Sequence, residues 1–300
     1  MHAAFYVVLG HAAGAAGLGW LYFRRYRVAR PPLGVLTSGD LAVLVGGVVL
    51  VPYLYLLLPR WVVAGLLAAG ILSVLYVTWE PILRARWAIW PATLLLLGAD
   101  VGAALRFGTA SRPFFAVNNA VLLVAAVGIA NLWAQSGMRA RHVAALGVAL
   151  ALYDALATAR LPLMADLLAR LAGLPFAPLV AWPVGDAGRW LGIGLGDLLL
   201  ATVAPLVMRK AFGRAAGLAA LALAPGALGT LLALVDLGVV RGPIPAMVVL
   251  GPLLALQYGY WARRRGAERT TRQYLRAEPP RGQVGRPRRT ASPAVEANRA

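Results

Sequence analysis

Stretches of about 20 apolar residues, the length an α-helix needs to cross the hydrocarbon core of a bilayer at ~1.5 Å per residue, recur along this chain. They lie roughly at 3–23, 39–58, 61–79, 87–106, 115–135, 142–159, 189–208, 213–237 and 242–262, and leave little sequence outside lipid. Composition agrees. The chain is 60% apolar with a mean hydropathy of +0.72, and only 13% of its residues are charged. That is more apolar surface than one soluble core can bury. The expectation is an all-α polytopic membrane protein with nine transmembrane helices over residues 1–262. Cysteine is absent, which removes disulfides, thiolate nucleophiles, zinc ribbons and iron–sulfur clusters together.

Arginine placement predicts a direction. With the N-terminus outside, the inner segments hold Arg24, Arg25, Arg27 and Arg30, then Arg84 and Arg86, then Arg139 and Arg141, then Arg209, Lys210 and Arg214, then the basic tail from Arg263. Only Arg60, Arg106, Arg112, Arg160, Arg170, Arg189 and Arg241 fall outside. The positive-inside rule therefore orients the chain N-out, C-in. The first span has arginines behind it and none ahead, unlike a cleaved signal peptide, and is expected to stay in the mature protein.

Two segments break the apolar pattern. Residues 263–300, rich in Arg, Pro, Gly, Glu and Ser, are expected to be a disordered basic cytoplasmic tail whose partners are anionic lipid head groups. Nucleic acid is not an expected partner, because interleaved aromatics and a folded binding module are missing. In the outer loop 160–188, LMADLLARL predicts a short interfacial helix and FAPLVAWP an extended, proline-bounded strand.

A carboxylate near the bilayer centre costs ~2.5–3.5 kcal/mol or more, so each one calls for a reason. Asp100, Asp154 and Asp197 qualify. Asp154 and Asp197 fall on consecutive antiparallel spans at depths of about 9 and about 12 Å below the same face, at ~1.5 Å per residue. Two like charges that close in a low dielectric cannot both ionise, so such a pair can hold one proton between them. One member then serves as base toward water and the other as acid toward a carbonyl, which is the chemistry of direct amide hydrolysis. A helix-packing pair, or carboxyls bonded to neighbouring groups, is the plainer reading. Asp197 ends the run Gly192-Ile193-Gly194-Leu195-Gly196-Asp197, in which Gly192 and Gly196 are expected one helical turn apart, leaving room for another backbone.

Tyr153-Asp154, Gly194-Leu195-Gly196-Asp197 and Pro245-Ala246-Met247 resemble, in that order, the YD, GxGD and PAL motifs of the presenilin and signal-peptide-peptidase family of intramembrane aspartyl proteases. The resemblance covers roughly residues 142–260 and is similar to the archaeal-type members; the first five spans match in number and hydrophobicity only. It implies a presenilin-like fold whose catalytic half is about 142–262. The orientation is that of the signal-peptide-peptidase branch and opposite to presenilin. By the same resemblance Asp154 and Asp197 are the catalytic pair and Tyr153 is a hydroxyl-bearing neighbour. Gly194 and Gly196 are then close-approach positions, and Pro245, Ala246 and Met247 line the site. The implied substrates are transmembrane helices or remnant signal peptides, with no cofactor and no metal. Met247 stands where the family has Leu, and the loop between the two acids is too short for a large recognition domain.

Mechanistically, a shielded helix must unwind to be cut. FAPLVAWP is the expected edge strand for the unwound segment, with Pro245 breaking the ninth helix beside the site. Asp100 is expected to be structural, with Asn118, Asn119, Asn131 and Gln135 as possible partners, and Asp236 to form a rim ion pair with Arg241. His2, His11 and His142 are scattered and no HExxH string occurs, which argues against a zinc protease; no GxSG string supports a serine one. Prepilin-peptidase chemistry fits poorly, since Leu198 and Leu199 rather than lysine follow the GxGD string. A proton-coupled transporter or a non-catalytic scaffold remains as the alternative, because both also keep carboxylates in the membrane. The preference for Arg, Ala, Gly, Leu and Val suggests a high-GC bacterial genome and hence the cell membrane.

Overall fold

The computed structural model describes residues 2–28, 37–83, 85–159, 163–185, 189–240, 245–271 and 273–274. Ten helices and one hairpin make up the order α1 (Ala3–Arg25), α2 (Ser38–Leu57), α3 (Arg60–Trp79), α4 (Arg86–Phe107), α5 (Arg112–Gln135), α6 (Ala140–Ala159), α7 (Leu163–Leu171), β1 (Leu179–Val184), β2 (Arg189–Gly194), α8 (Leu195–Phe212), α9 (Arg214–Asp236) and α10 (Ala246–Arg265). Seven of these helices, α1 to α6 and α9, are long and apolar enough to cross a membrane. The molecule is a helical, polytopic membrane protein.

Local chemistry sets the helix ends. Thr37 and Asp40 form a reciprocal capping box at the start of α2, and the Ser111 hydroxyl caps α5 ahead of Pro113 in its first turn. Gly213, at φ 95°, ends α8 and starts α9, a conformation that an L side chain resists.

The centre is built on α5 and α8. Leu198, Leu200, Ala201, Val203, Leu206 and Val207 of α8 are buried, as are Phe114, Leu122, Ala126 and Ala130 of α5. α1 lies against both through small residues, Ala12, Ala15, Ala16 and Gly19, where a Cβ on Gly19 would come within 2.9 Å of Thr202. Close approach through small side chains is how helices associate where lipid removes the hydrophobic drive. α2 to α4 form the periphery, with Val43, Leu50, Leu57, Leu95 and Leu105 exposed, as befits helices that lipid solvates.

Contacts between helix ends sort them onto two faces. On one, the Tyr22 hydroxyl of α1 donates to the Thr78 carbonyl of α3, and Gln135 of α5 bonds Tyr26 and Val28 beyond α1. Lys210, near the end of α8, reaches the carbonyls of Ala134 and Met138 at 2.6 Å each, and Thr271 at 3.4 Å. An unpaired buried ammonium would cost several kcal/mol, and the open carbonyls at the end of α5 supply its partners. On the opposite face, His2 binds Asp236 at the end of α9 through its backbone N–H and its Nδ1, both at 2.8 Å, and Arg170 of α7 donates to the Leu58 carbonyl beyond α2. The expected partner of Asp236, Arg241, lies outside the described residues.

Three sequence expectations change. Residues 189–194, expected within the seventh span, form β2; the helix starts only at Leu195, because the hairpin satisfies this backbone against β1. Pro245 does not break the last helix: it is the residue just before α10, so the helix begins after it; 242–244 lie outside the described residues. The segment expected as a disordered tail from 263 is ordered in part, over 263–271 and 273–274. α10 continues to Arg265, the Arg269 backbone N–H donates to the Ala211 carbonyl at 3.1 Å, and buried Tyr274 stacks on Phe23 with ring centroids 5.5 Å apart. Residues 275–300 lie outside the described residues. Two expectations hold: LMADLLARL is α7, and β1 takes in the LVAWP of FAPLVAWP and runs one residue further, to Val184.

The docked segment should contribute measurably to stability. Tyr274→Ala removes a buried aromatic ring, a loss of about 3 kcal/mol for large-to-small changes of this kind. Thermal unfolding in detergent should show a melting temperature lower by several degrees, and an unchanged value would mean that the stack contributes nothing.

Candidate active site

Asp197 is the third residue of α8, and Gly194 is the residue that precedes the helix. The first N–H groups of a helix have no partner within it. Here the Asp197 carboxylate turns back to accept the Gly194 N–H, and a Cβ on Gly194 would stand 3.3 Å from its Oδ2. Asp154, one turn before the end of α6, meets a second helix start. Its Oδ2 accepts the backbone N–H of Met247, in the first turn of α10, at 3.2 Å. The sequence thus places each acid at the N-terminus of a helix following a β-strand or a proline, and the two carboxyls are near enough for the charge of Asp154 to act on Asp197.

α6 and α10 are held at this distance by two glycines. A Cβ on Gly147 would lie 3.2 Å from the Gly251 Cα, and one on Gly251 would lie 2.8 Å from the Gly147 carbonyl carbon. Backbone meets backbone there, and the close crossing brings the start of α10 onto Asp154.

The hairpin completes the site. β1 and β2 run antiparallel with Leu179 opposite Gly194 and Val184 opposite Arg189. Because the Leu195 N–H bonds the Pro178 carbonyl at 2.9 Å, the pairs 193/180 and 191/182 exchange hydrogen bonds, while Gly194, Gly192 and Trp190 turn their backbone groups to the outer edge of β2. Pro183, which lacks an N–H, occupies an outward position on β1, where none is needed. The outer edge of β1 is filled. Asn119 of α5 donates to the Ala181 carbonyl at 2.8 Å and accepts its N–H at 3.0 Å, and Asn118 donates to the carbonyls of Ala177 and Leu179 at 3.1 and 3.2 Å. Among the described residues, no group bonds the outward backbone of Trp190 or Gly192. The free edge of the sheet is therefore that of β2, and it leads straight to Asp197.

Each expected site residue has a definite place. Asp154, Asp197, Gly194 and Met247 come together as described, with Met247 contributing its backbone N–H while its side chain is buried. Ala246 is the first residue of α10 and Pro245 the one before it. The Tyr153 hydroxyl is buried, makes no hydrogen bond among the described residues, and lies within electrostatic reach of Asp154 and of Tyr53 in α2. Gly196, next to Asp197 in the chain, is exposed, and beyond its chain neighbours and its own helix backbone no described atom lies within 4 Å of where its Cβ would be. Gly192 does not share a helix face with it: Gly192 belongs to β2, where a Cβ would come within 2.8 Å of Ala181 and of the Val180 carbonyl.

Asp100 is buried but does not meet the expected amides. Its Oδ2 accepts the N–H of Phe176 at 2.8 Å, just ahead of β1, where Phe176 takes the left-handed φ of 60°. A charge-assisted bond of this kind offsets the ~1–2 kcal/mol cost of that backbone. Asn131 instead bonds the carbonyls of Gly19 and Val127. The strand-holding role of Asn118 and Asn119 was legible only as two adjacent amides in an apolar span, which must find partners. Among the described residues no group of three or more His, Asp or Glu is placed to hold a metal ion.

Fold and site together define a polytopic helical membrane protein with two interacting carboxyls at helix starts beside an uncovered strand edge. No family model, curated protein or solved structure matches the chain. The family resemblance rests on the three motifs alone.

Proposed function

We propose that the protein is an intramembrane aspartyl endopeptidase that hydrolyses peptide bonds in transmembrane segments or remnant signal peptides, with Asp154 and Asp197 as its catalytic pair. The observation that carries this reading is the free edge of β2 ending at Asp197, beside the open space at Gly196. In this reading α8 and α10 also cross the bilayer, giving nine spans. The face that gathers the ends of α1, α5 and α8, with Arg24, Arg25, Arg139 and Lys210, is then the cytoplasmic one, and the N-terminus is outside. A composition rich in Arg, Ala and Leu supports a bacterial cell membrane as the location, with anionic lipids as the proposed neighbours of the basic C-terminal region.

The chemistry follows from the groups at hand. A helix cut inside lipid must first lose its own hydrogen bonds, and each freed N–H or C=O needs a partner there. The backbone groups of Trp190 and Gly192 offer those partners by strand addition, so the expected role of β1 passes to β2. One carboxylate takes a proton from water as its oxygen attacks the scissile carbonyl carbon, while the other carboxyl gives its proton to the carbonyl oxygen. Collapse of the tetrahedral diol breaks the C–N bond: the proton taken from water passes to the departing nitrogen, and a hydroxyl proton of the diol returns to the other carboxylate as the carbonyl re-forms. No metal or covalent intermediate is required.

The test is reconstitution of the purified protein in liposomes with a single-span reporter peptide. Two new fragments are expected, whose masses add to that of the reporter plus one water. An intact reporter together with proton flux across the same liposomes would replace this reading with the transporter.

A further inference from the structure

The two asparagines on α5 are placed to do more than fill hydrogen bonds. Asn118 and Asn119 are both buried, and the side-chain amide of Asn119 pairs with Ala181 through one donated and one accepted bond, as a peptide group of a third strand would. Asn118 spans two carbonyls on the same edge. Between this anchorage and the carboxyl pair the chain passes from β2 into α8 at Gly194, where a Cβ would stand 3.3 Å from the Asp197 Oδ2. Val180, Leu191 and Ile193 pack one face of the hairpin into the core and the Asp100 bond to Phe176 holds its entry, but apolar packing is non-directional and leaves the twist of a two-stranded hairpin loosely set. The directional bonds along the outer edge of β1 come from Asn119 and Asn118, on a helix that contributes nothing else to the pair.

We propose that Asn119, with Asn118 beside it, is the positioning residue that aims the hairpin and thereby fixes which peptide bond of an added strand lies at Asp154 and Asp197. The inference rests on the proteolytic reading above. A strand advances ~3.4 Å per residue, so a modest swing of the β2 edge carries a neighbouring peptide bond to the carboxyls. In the wild-type protein the hairpin is held and one bond is favoured.

The experiment compares the full-length wild type with Asn119→Ala and with Asn131→Ala, a control that removes an equally buried α5 amide bonded away from the sheet. Reporter fragments are sized by mass spectrometry. In parallel, spin labels at exposed Arg112 and Arg189 report the spread of distances between α5 and β2. Asn119→Ala should broaden that spread and turn one principal cleavage site into a set of adjacent ones, the principal site dropping at least twofold in its share. Asn131→Ala should lower thermal stability with the site unchanged. An unaltered fragment pattern in Asn119→Ala, or an unaltered distance distribution, overturns the proposal even if the rate falls, because a packing role alone predicts that result. Absence of fragments from the wild type overturns the proteolytic reading itself and the register claim with it, while the distance arm still decides whether Asn119 aims the hairpin.

Discussion

Asp154→Asn and Asp197→Asn are each expected to slow reporter cleavage by about a thousand-fold or more, equivalent to about 4 kcal/mol of lost transition-state stabilisation, with the fold intact. Asparagine keeps the shape of the side chain and an oxygen that can accept. The Met247 N–H can still bond residue 154, and the Gly194 N–H can still bond residue 197. What asparagine cannot do is take a proton from water or give one to a carbonyl oxygen. Alanine at either position removes the acceptor as well, leaving a helix start open, and should cost a further ~1 kcal/mol of stability. Melting temperature separates the two substitutions and cleavage rate does not. If either asparagine variant keeps wild-type activity, that acid is not part of the reaction. If the double variant is no slower than each single one, the carboxyls act as one unit, as a shared proton requires.

Much of the fold was legible because its strongest constraint is one-dimensional. Apolar runs of the right length locate α1 to α6 and α9 to within a few residues, and α7 was visible as nine residues between loop signals. The region from 189 to 194 was not, for a physical reason. Trp190, Leu191 and Ile193 are as apolar as a membrane helix demands, and only the availability of β1 as a partner decides that they pair as a strand. Hydropathy carries no information about pairing. The same limit applies to the carboxylates. Depth along the spans placed Asp154 and Asp197 at one level, yet their partners are backbone groups at the starts of α10 and α8, which no residue type advertises. Asp100 shows it most directly: the nearby amides looked like its partners, and the structure gives Asn118 and Asn119 to the β1 segment, Asn131 and Gln135 to α1 and the residues after it, and Asp100 to the Phe176 N–H. The docking of Arg269 and Tyr274 was missed because polar composition masks single anchors of this kind.

Gly196→Val is expected to lower cleavage about a hundred-fold or more, near 3 kcal/mol in the barrier, without loss of thermal stability. The reasoning turns on the difference between two glycines that composition cannot tell apart. At Gly251 the absent side chain lets α6 and α10 touch; a Cβ there would press on the Gly147 carbonyl and the Ala151 methyl, forcing the helices apart and carrying Asp154 away from the Met247 N–H. Substitution at Gly251 should therefore lower the melting temperature and the activity together. At Gly196 no described atom stands within 4 Å of the Cβ position, so the folded protein has no use for the missing side chain. Glycine inside a helix is worse than alanine by ~0.5–1 kcal/mol, and retaining it in the second residue of α8 without a packing reason is a cost. Gly196→Ala should accordingly leave the melting temperature unchanged or raise it. Gly196 lies in the chain between the end of the β2 edge and Asp197, and in the proposed proteolytic reading an extended substrate backbone passes there to reach the carboxyls. Valine fills that position with two methyl groups that cannot turn aside, and excludes that backbone by contact. Cleavage rates and melting temperatures for Ala and Val at position 196 decide the matter: undiminished cleavage by a well-folded Gly196→Val protein would mean that substrate does not approach Asp197 from the side of the sheet.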